Sequence, residues 1–511
     1  MKKIKYIVAS ILFVGAMTGC DDFLTVESPD QLTTDTFWRD VKDAEAAMAA
    51  AYAPMEGSID TYSFAEIHWP VEAYREDMME LGSDALNYPN WVELANFTYT
   101  NGNTQFTYYW QENYRGINYC NQILEGLPTI KADKITEGER DALTAEAHFL
   151  RGYYHLKLQL NWKQILIRDQ YIKSTEDLSK TLATRSESWD FIIDELTKAT
   201  ALPPSRNSDK LGRATSGAAW AFLGWARLTR AYEEADKKEA ELKEAVKAFE
   251  NVKGYELADN INSLFDGTNK NSKESVFELQ LTMSDASGAW YQTQLHRWIG
   301  CSELWGWDEI LPSERLMEEY MKEGEIATTG LYDSRLYQTI FYQCDYFNDQ
   351  EEGRVYGYTY DDWFNYKDKD GNAVTYNKPA FRKLMPADYE GLEANYFAPN
   401  IPLMRYSNVL LMQAEALNEL GRTSEAIPMI NQVRARADMP EMEGTSQQAV
   451  REQIEHERIL EFPLENLRFY DLRRWGKTKE ALEAVGRSFN PDKNDFYPVP
   501  LQEINANNAI K

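Results

Sequence analysis

Cys20 is the residue whose surroundings dictate a chemistry most directly. Lys2, Lys3 and Lys5 precede a short apolar run from Ile7 to Met17, and small residues lead into Gly19-Cys20-Asp21-Asp22. A basic stretch, an apolar run of about a dozen residues and a small-residue junction form a secretory signal. Cleavage before Cys20 would free its backbone amine and leave its thiol to carry lipid. Residues 1–19 therefore read as a lipoprotein signal peptide and residues 20–35 as a polar, lipidated tether. The apolar run falls short of the roughly 20 residues that span a bilayer. The alternative is an uncleaved N-terminal helix.

Residues able to catalyse are present without a catalytic pattern. The histidines are His68, His148, His155, His296 and His456. Glu452 and His456 stand four apart on a predicted helix, but no second histidine completes a zinc motif, so a solvated pair is expected. His148 and His155 share a helix face, where packing is the better reading. No nucleophile elbow, phosphate loop or dinucleotide fingerprint occurs. With 82 acidic residues, carboxylate pairs for glycoside hydrolysis can be drawn anywhere, and none is singled out. Asp368, Asp370 and Asn372 have the spacing that opens a calcium loop, yet Gly371 falls at the fourth place instead of the sixth. A hairpin turn is expected there, with neither metal nor cofactor.

The net charge of −28 excludes nucleic acid as a partner, because phosphate recognition needs basic patches. Apart from Cys20, the cysteines are Cys120, Cys301 and Cys344, so at most one disulfide can form among them. Aromatic residues are abundant, and several of the 14 tryptophans sit in polar, Gly- and Asn-rich context where a core role is a weaker explanation.

The elements that must position these residues are mainly helical. Apolar spacing predicts helices over residues 36–55, 106–127, 137–160, 186–201, 214–234 and 239–253, with Pro54 stopping the first. Residues 57–102 read as irregular. From 255 to 402 helical periodicity is sparse, with a strand at 275–281, a helix at 312–323 and the turn at 367–372. Helices return at 406–420, 424–437 and 446–461. Ala414, Leu417, Ala426, Ile430 and Val433, punctuated by Gly421, have the spacing of a tetratricopeptide helix pair. Ala245, Phe249 and Val252 repeat its second arm. Such pairs need neighbours to bury their faces, so the two helical blocks should pack together.

Several motifs carry a resemblance. Residues 401–419, which begin Ile401-Pro-Leu-Met-Arg-Tyr, are very similar to the C-terminal signature of the SusD/RagB family of Bacteroidetes outer-membrane lipoproteins. So are Ile430-Asn-Gln-Val-Arg-Ala-Arg-Ala437, Glu457-Arg-Ile-Leu-Glu-Phe462 and Leu467-Arg-Phe-Tyr-Asp-Leu-Arg-Arg-Trp-Gly476. Trp110, Tyr114 to Asn121, Ala145 to Tyr154 and Gly212-Arg-Ala-Thr215 fit the same pattern, so the likeness runs from Cys20 to about Pro500. Residues 161–167 depart from it, since relatives carry a Gly/Pro turn there, and so does the tail.

The resemblance implies a mainly α fold. Residues 36–511 would form one SusD-like domain, with a tetratricopeptide-like scaffold over 36–253 and 406–511. An irregular ligand-binding half with short strands would occupy 255–405, joined by the loop 57–102. It also implies a surface-exposed, lipid-anchored outer-membrane protein, not an enzyme, that captures oligosaccharide for a SusC-like TonB-dependent transporter. The alternatives are a surface glycoside hydrolase and a peptide-capturing lid. Glycan contacts are expected first at Trp91, with Trp69, Asp84 and Asn90 beside it. A second group is Trp298, Trp305 and Cys301, with Arg382 and Tyr389 further along. Trp307 is expected to be buried.

Overall fold

A computed structural model describes residues 37–56, 68–283, 292–375 and 379–510. Cys20, the signal and the tether lie outside the described residues. Helices open where a side chain satisfies their first free amides. Helix α1 (Val41–Tyr52) starts on Asp40, whose carboxylate accepts from the amides of Lys42 and Asp43, and it ends before Pro54. Then come α2 (Pro89–Asn96) and α3 (Thr104–Gly126). Reciprocal Thr–Glu capping boxes open α4 (Glu137–Asn161) at Thr136 and α5 (Arg185–Ala199) at Thr184. The remaining long helices are α6 (Ser216–Glu233), α7 (Lys238–Glu250), α8 (Glu314–Met321), α9 (Tyr406–Glu419), α10 (Thr423–Arg436) and α11 (Gln447–Glu461).

Helices α3 to α7 pack each on the next, and α7 packs on α9 although residues 255–405 separate them in sequence. Lys238 reaches Glu419 across that junction at 3.1 Å. Glycine sets the closest approaches. A Cβ on Gly116 would lie 2.3 Å from the Tyr154 ring, and one on Gly224 would lie 2.4 Å from Phe249. Gly421, at φ +75°, makes the turn between α9 and α10.

The strands are β1 (Met79–Leu81), β2 (Ser275–Leu279), β3 (Ile310–Pro312), β4 (Ile340–Phe341), β5 (Asn365–Lys367), β6 (Ala373–Thr375), β7 (Ala380–Phe381) and β8 (Ile401–Arg405). They form antiparallel ladders β1–β3, β2–β8, β4–β7 and β5–β6. Because β2 pairs with β8, the irregular half leaves and rejoins the helical stack at one place. In the β5–β6 turn the Asp368 carboxylate accepts from the amides of Asp370 and Asn372 at 2.9 and 2.8 Å, while Gly371 has φ +83°.

A buried ionic cluster fastens that junction. Arg405 of β8 bonds Glu461 of α11 at 2.8 Å and Glu465 at 2.7 Å, and also reaches Glu274 beside β2. Arg335 contacts Glu457 at 2.7 Å and Glu461 at 3.3 Å, and Arg436 contacts Glu461 at 2.5 Å. Arg335, Arg405, Glu457 and Glu461 are buried, so each charge depends on its partners.

Three expectations are corrected. Residues 57–102 are not wholly irregular: β1, α2 and a short helix Trp69–Ala73 lie there. His456 forms no solvated pair with Glu452. It is buried and meets Glu319 of α8 at 2.8 Å, because α8 packs on α11. The strand ends at Leu279 rather than at residue 281. Cys120, Cys301 and Cys344 are all free thiols. His155 is buried, donating to the Arg151 carbonyl and accepting from the Arg168 amide.

Candidate functional site

The β1–β3 ladder brings the segment carrying Asp84 and Trp91 beside the segment carrying Trp298 and Trp305. Its pairing continues as Gly82 N–H to Glu309 O at 2.8 Å and Asp84 N–H to Asp308 O at 3.3 Å. A Cβ on Gly82 would fall 1.8 Å from the Asp308 carbonyl, so only glycine allows this approach. Pro89 then opens α2, with Tyr88 at the position just before it. Tyr88 is 38% exposed and lies over Trp91, with 4.1 Å between ring centroids and 19° between planes. Beside them, Trp298 meets Trp91 at 4.3 Å and Tyr88 at 5.8 Å, and Trp298 meets Trp307 at 6.0 Å.

A second set of rings continues from the same segment. Trp305 is 47% exposed and sits in a left-handed turn at φ +61°. Arg297 holds this turn: its guanidinium donates to the Trp305 carbonyl and, at 2.6 and 2.8 Å, to the carbonyls of Glu393 and Ala394. That ties Trp305 to the short helix Tyr389–Glu393. The exposed Tyr389 ring runs 22° from parallel to Trp363 at 6.2 Å, and Trp363 meets the exposed Tyr358 at 5.4 Å. The Tyr389 hydroxyl lies within hydrogen-bonding reach of Glu393 and of the Trp305 indole, and partial desolvation followed by Glu393 raises its pKa. Flat rings held by backbone-directed hydrogen bonds offer apolar contact area at low entropic cost.

The expected residues divide between this belt and the core. Trp305 and Tyr389 lie on the belt. Asp84 is half-buried; it accepts from Asn87 at 2.5 Å and faces Glu309. The Asn90 side chain donates to Thr104 at 2.7 Å, anchoring α2 to α3. Arg382 is half-buried and donates to the Tyr337 carbonyl at 2.9 Å. Four expectations are corrected by burial: Trp91 at 2% exposure, Trp69, Trp298 and Cys301. Trp91 is covered by Tyr88 on one face and flanked by Trp298, which also meets Tyr88 at 5.8 Å. Trp69 lies deep against a cavity of about 50 Å³ with His68 and Glu72. Cys301 sits under the Trp305 turn, where its carbonyl accepts from Leu304 and Gly306. None of these four presents an exposed face to solvent. Trp307 is half-buried rather than buried.

Sequence reasoning missed Tyr88, Tyr358 and Trp363. Tyr88 stands just before the Pro89 that starts a helix, and its partner three residues on is Trp91. That spacing signals a ring over a ring once α2 is recognised. The run from Tyr356 to Trp363 is dense in aromatics, but its periodicity does not say which ones face outward. Among the described residues no group of three or more His, Cys, Asp or Glu side chains is arranged to hold a metal ion, and no helix is long and apolar enough to cross a membrane.

The geometry defines a helical-repeat scaffold that presents an aromatic surface on an irregular half, a design for binding. Residues 273–511 match the sequence model of the SusD family, and residues 22–229 match a SusD-like family described as starch-binding and associating with the outer membrane. The chain belongs to the SusD family. It is 25% identical to SusD-like protein P2 of Formosa agariphila, covering 99% of this chain and 98% of that one. A solved SusD superfamily protein from Bacteroides vulgatus aligns with a TM-score of 0.76 at 25% identity, over 93% of this chain and 99% of that one. Surface glycan-binding protein A of Bacteroides thetaiotaomicron, solved with laminarihexaose, shares the fold. It aligns with a TM-score of 0.72 at 18% identity, over 92% of this chain and 98% of that one.

Proposed function

We propose that this protein captures an oligosaccharide at the cell surface and delivers it to a SusC-like TonB-dependent transporter of the outer membrane. Lipid on Cys20 would hold it at that membrane, and it would act by binding, without turnover. The observation that carries this reading is the exposed Trp305 ring, flanked by Tyr389 and fixed from behind by Arg297. A sugar ring has apolar C–H faces and a polar rim. Trp305 and Tyr389 offer the face, and Asp84, Glu393 and Arg382 stand at the rim. The family description and the laminarihexaose-bound relative support a glycan as the ligand class.

Removing one stacking ring should cost about 1–3 kcal/mol, by analogy with bases stacked on aromatic side chains. Titration calorimetry of the mature protein against a panel of neutral and acidic glycans tests the reading. At least one glycan should bind, and Trp305→Ala should weaken it roughly tenfold to a hundredfold at an unchanged melting temperature. A panel without any binder, or an unaffected Trp305→Ala, would refute it.

A further inference from the structure

Two carboxylates beside the Trp305 and Tyr389 rings, Glu303 and Glu393, reach solvent. At the Trp305 end, Glu393 is exposed and lies against Tyr389, and Glu303 is half-exposed two residues before Trp305. At the Tyr88 end, Asp84 faces Glu309. The neighbouring cations have donors engaged, though Arg297 and Arg382, bonded to carbonyls, keep their charge. Arg297 is buried and donates to the backbone carbonyls of residues 305, 393 and 394. Arg382 donates to Tyr337, and Arg354, near Tyr358, pairs with Glu351 at 2.9 Å. Burial, with Asp84 adding to it, raises Glu309 to about 8, so that carboxyl is protonated at neutral pH and brings no charge to the belt. Glu393 likewise adds to the raised pKa of Tyr389, after partial desolvation.

We propose that the belt selects uncharged oligosaccharides and excludes glycans bearing carboxylate or sulfate groups, an inference that rests on the glycan-capture reading above. Hydroxyls of a neutral sugar donate to ionised carboxylates, which are the stronger class of acceptor. A ligand carboxylate brings no donor and meets charge of its own sign. At about 4 Å near a protein surface that repulsion weakens binding at least about tenfold per ligand charge. Salt screens charges separated by more than a Debye length of about 8 Å, so the penalty shrinks as ionic strength rises.

The test uses the mature protein with matched ligands: starch, laminarin, xylan and mannan, each beside its carboxymethylated derivative, together with alginate and polygalacturonate. A neutral polymer should bind. Its carboxymethylated form should bind at least about tenfold more weakly at low ionic strength, with partial recovery in high salt. The double variant Glu303→Gln/Glu393→Gln should narrow the gap between the neutral and carboxymethylated forms, even though the neutral ligand loses some affinity with the weaker amide acceptors, and a gap as wide as in the wild type would overturn the charge selection. Equal or tighter binding of a carboxymethylated or uronate polymer at low ionic strength would overturn charge selection and leave glycan capture standing. Failure of every polymer, neutral and acidic, would overturn both.

Discussion

Tyr88 lies flat on Trp91, and the two rings divide one role: Tyr88 takes solvent and Trp91 takes the core. Trp91 in turn meets Trp298, which also touches Tyr88 at 5.8 Å, so the outward ring stands on a cluster anchored in the interior. A platform on such a base loses little freedom when a ligand settles on it.

The cluster separates two substitutions that sequence alone cannot distinguish. Trp91→Ala should destabilise the fold by about 3–5 kcal/mol, as for other buried aromatic truncations. Tyr88→Ala should leave the melting temperature within a few degrees and weaken glycan binding. Thermal melts and calorimetry on both variants check this. A Trp91→Ala protein of unchanged stability would show that the cluster does not carry the platform.

The ionic cluster at the β8–α11 junction should be intolerant of single changes. Glu461→Ala leaves Arg405, Arg335 and Arg436 buried with one carboxylate fewer. Breaking a buried pair from one side costs about 3–5 kcal/mol. Denaturant unfolding should show that loss, and Glu425→Ala, an exposed i,i+3 partner of Arg422, should cost less than about 1 kcal/mol.

Stability should fall on the acid side and also decline toward alkaline pH. Burial works against ionisation of Glu195, yet hydrogen bonds from His148 and Arg151 hold it near pKa 2. Burial likewise opposes Glu319, which His456 and Lys322 hold near 2. Both carboxylates contribute stability that is present above their unfolded value of about 4.3 and is lost as pH falls toward 2. Glu309 is raised to about 8, so the folded state holds a proton there that the unfolded chain gives up. Its contribution declines as pH rises from about 4.3 through 8. Melting temperatures between about pH 4 and about pH 9, the window in which the unfolded chain gives up the Glu309 proton before the folded state does, should flatten on the alkaline side in Glu309→Gln. An unchanged alkaline slope in that variant would remove Glu309 as its source.

The anchor is tested at one residue. Cys20→Ala should abolish labelling by a fatty-acid analogue and release the protein from the outer-membrane fraction or leave it as precursor. Wild-type labelling and membrane retention in that variant would refute lipidation at Cys20.

The helical scaffold was legible in the chain because an amphipathic helix writes its own period. Thr136 with Glu139 and Thr184 with Glu187 mark two starts, Pro54 marks a stop, and Ala414, Leu417, Ala426 and Ile430 mark a facing pair. Each signal acts over a few residues, so a local reading captures it. The same holds for the β5–β6 turn, where Asp368 and Gly371 act on their own neighbours.

Which aromatics face outward was decided only by tertiary structure. Trp91 lies in a polar, Pro-bounded stretch that reads as exposed, yet Trp298 covers it from about two hundred residues away, across a ladder whose strands are three residues long. Trp305 and Trp307 have nearly the same local surroundings. Arg297, by gripping the Trp305 carbonyl and two carbonyls near residue 394, turns the first ring out and leaves the second half-covered. Burial is a property of the partner surface, and a single sequence names the rings without naming their partners.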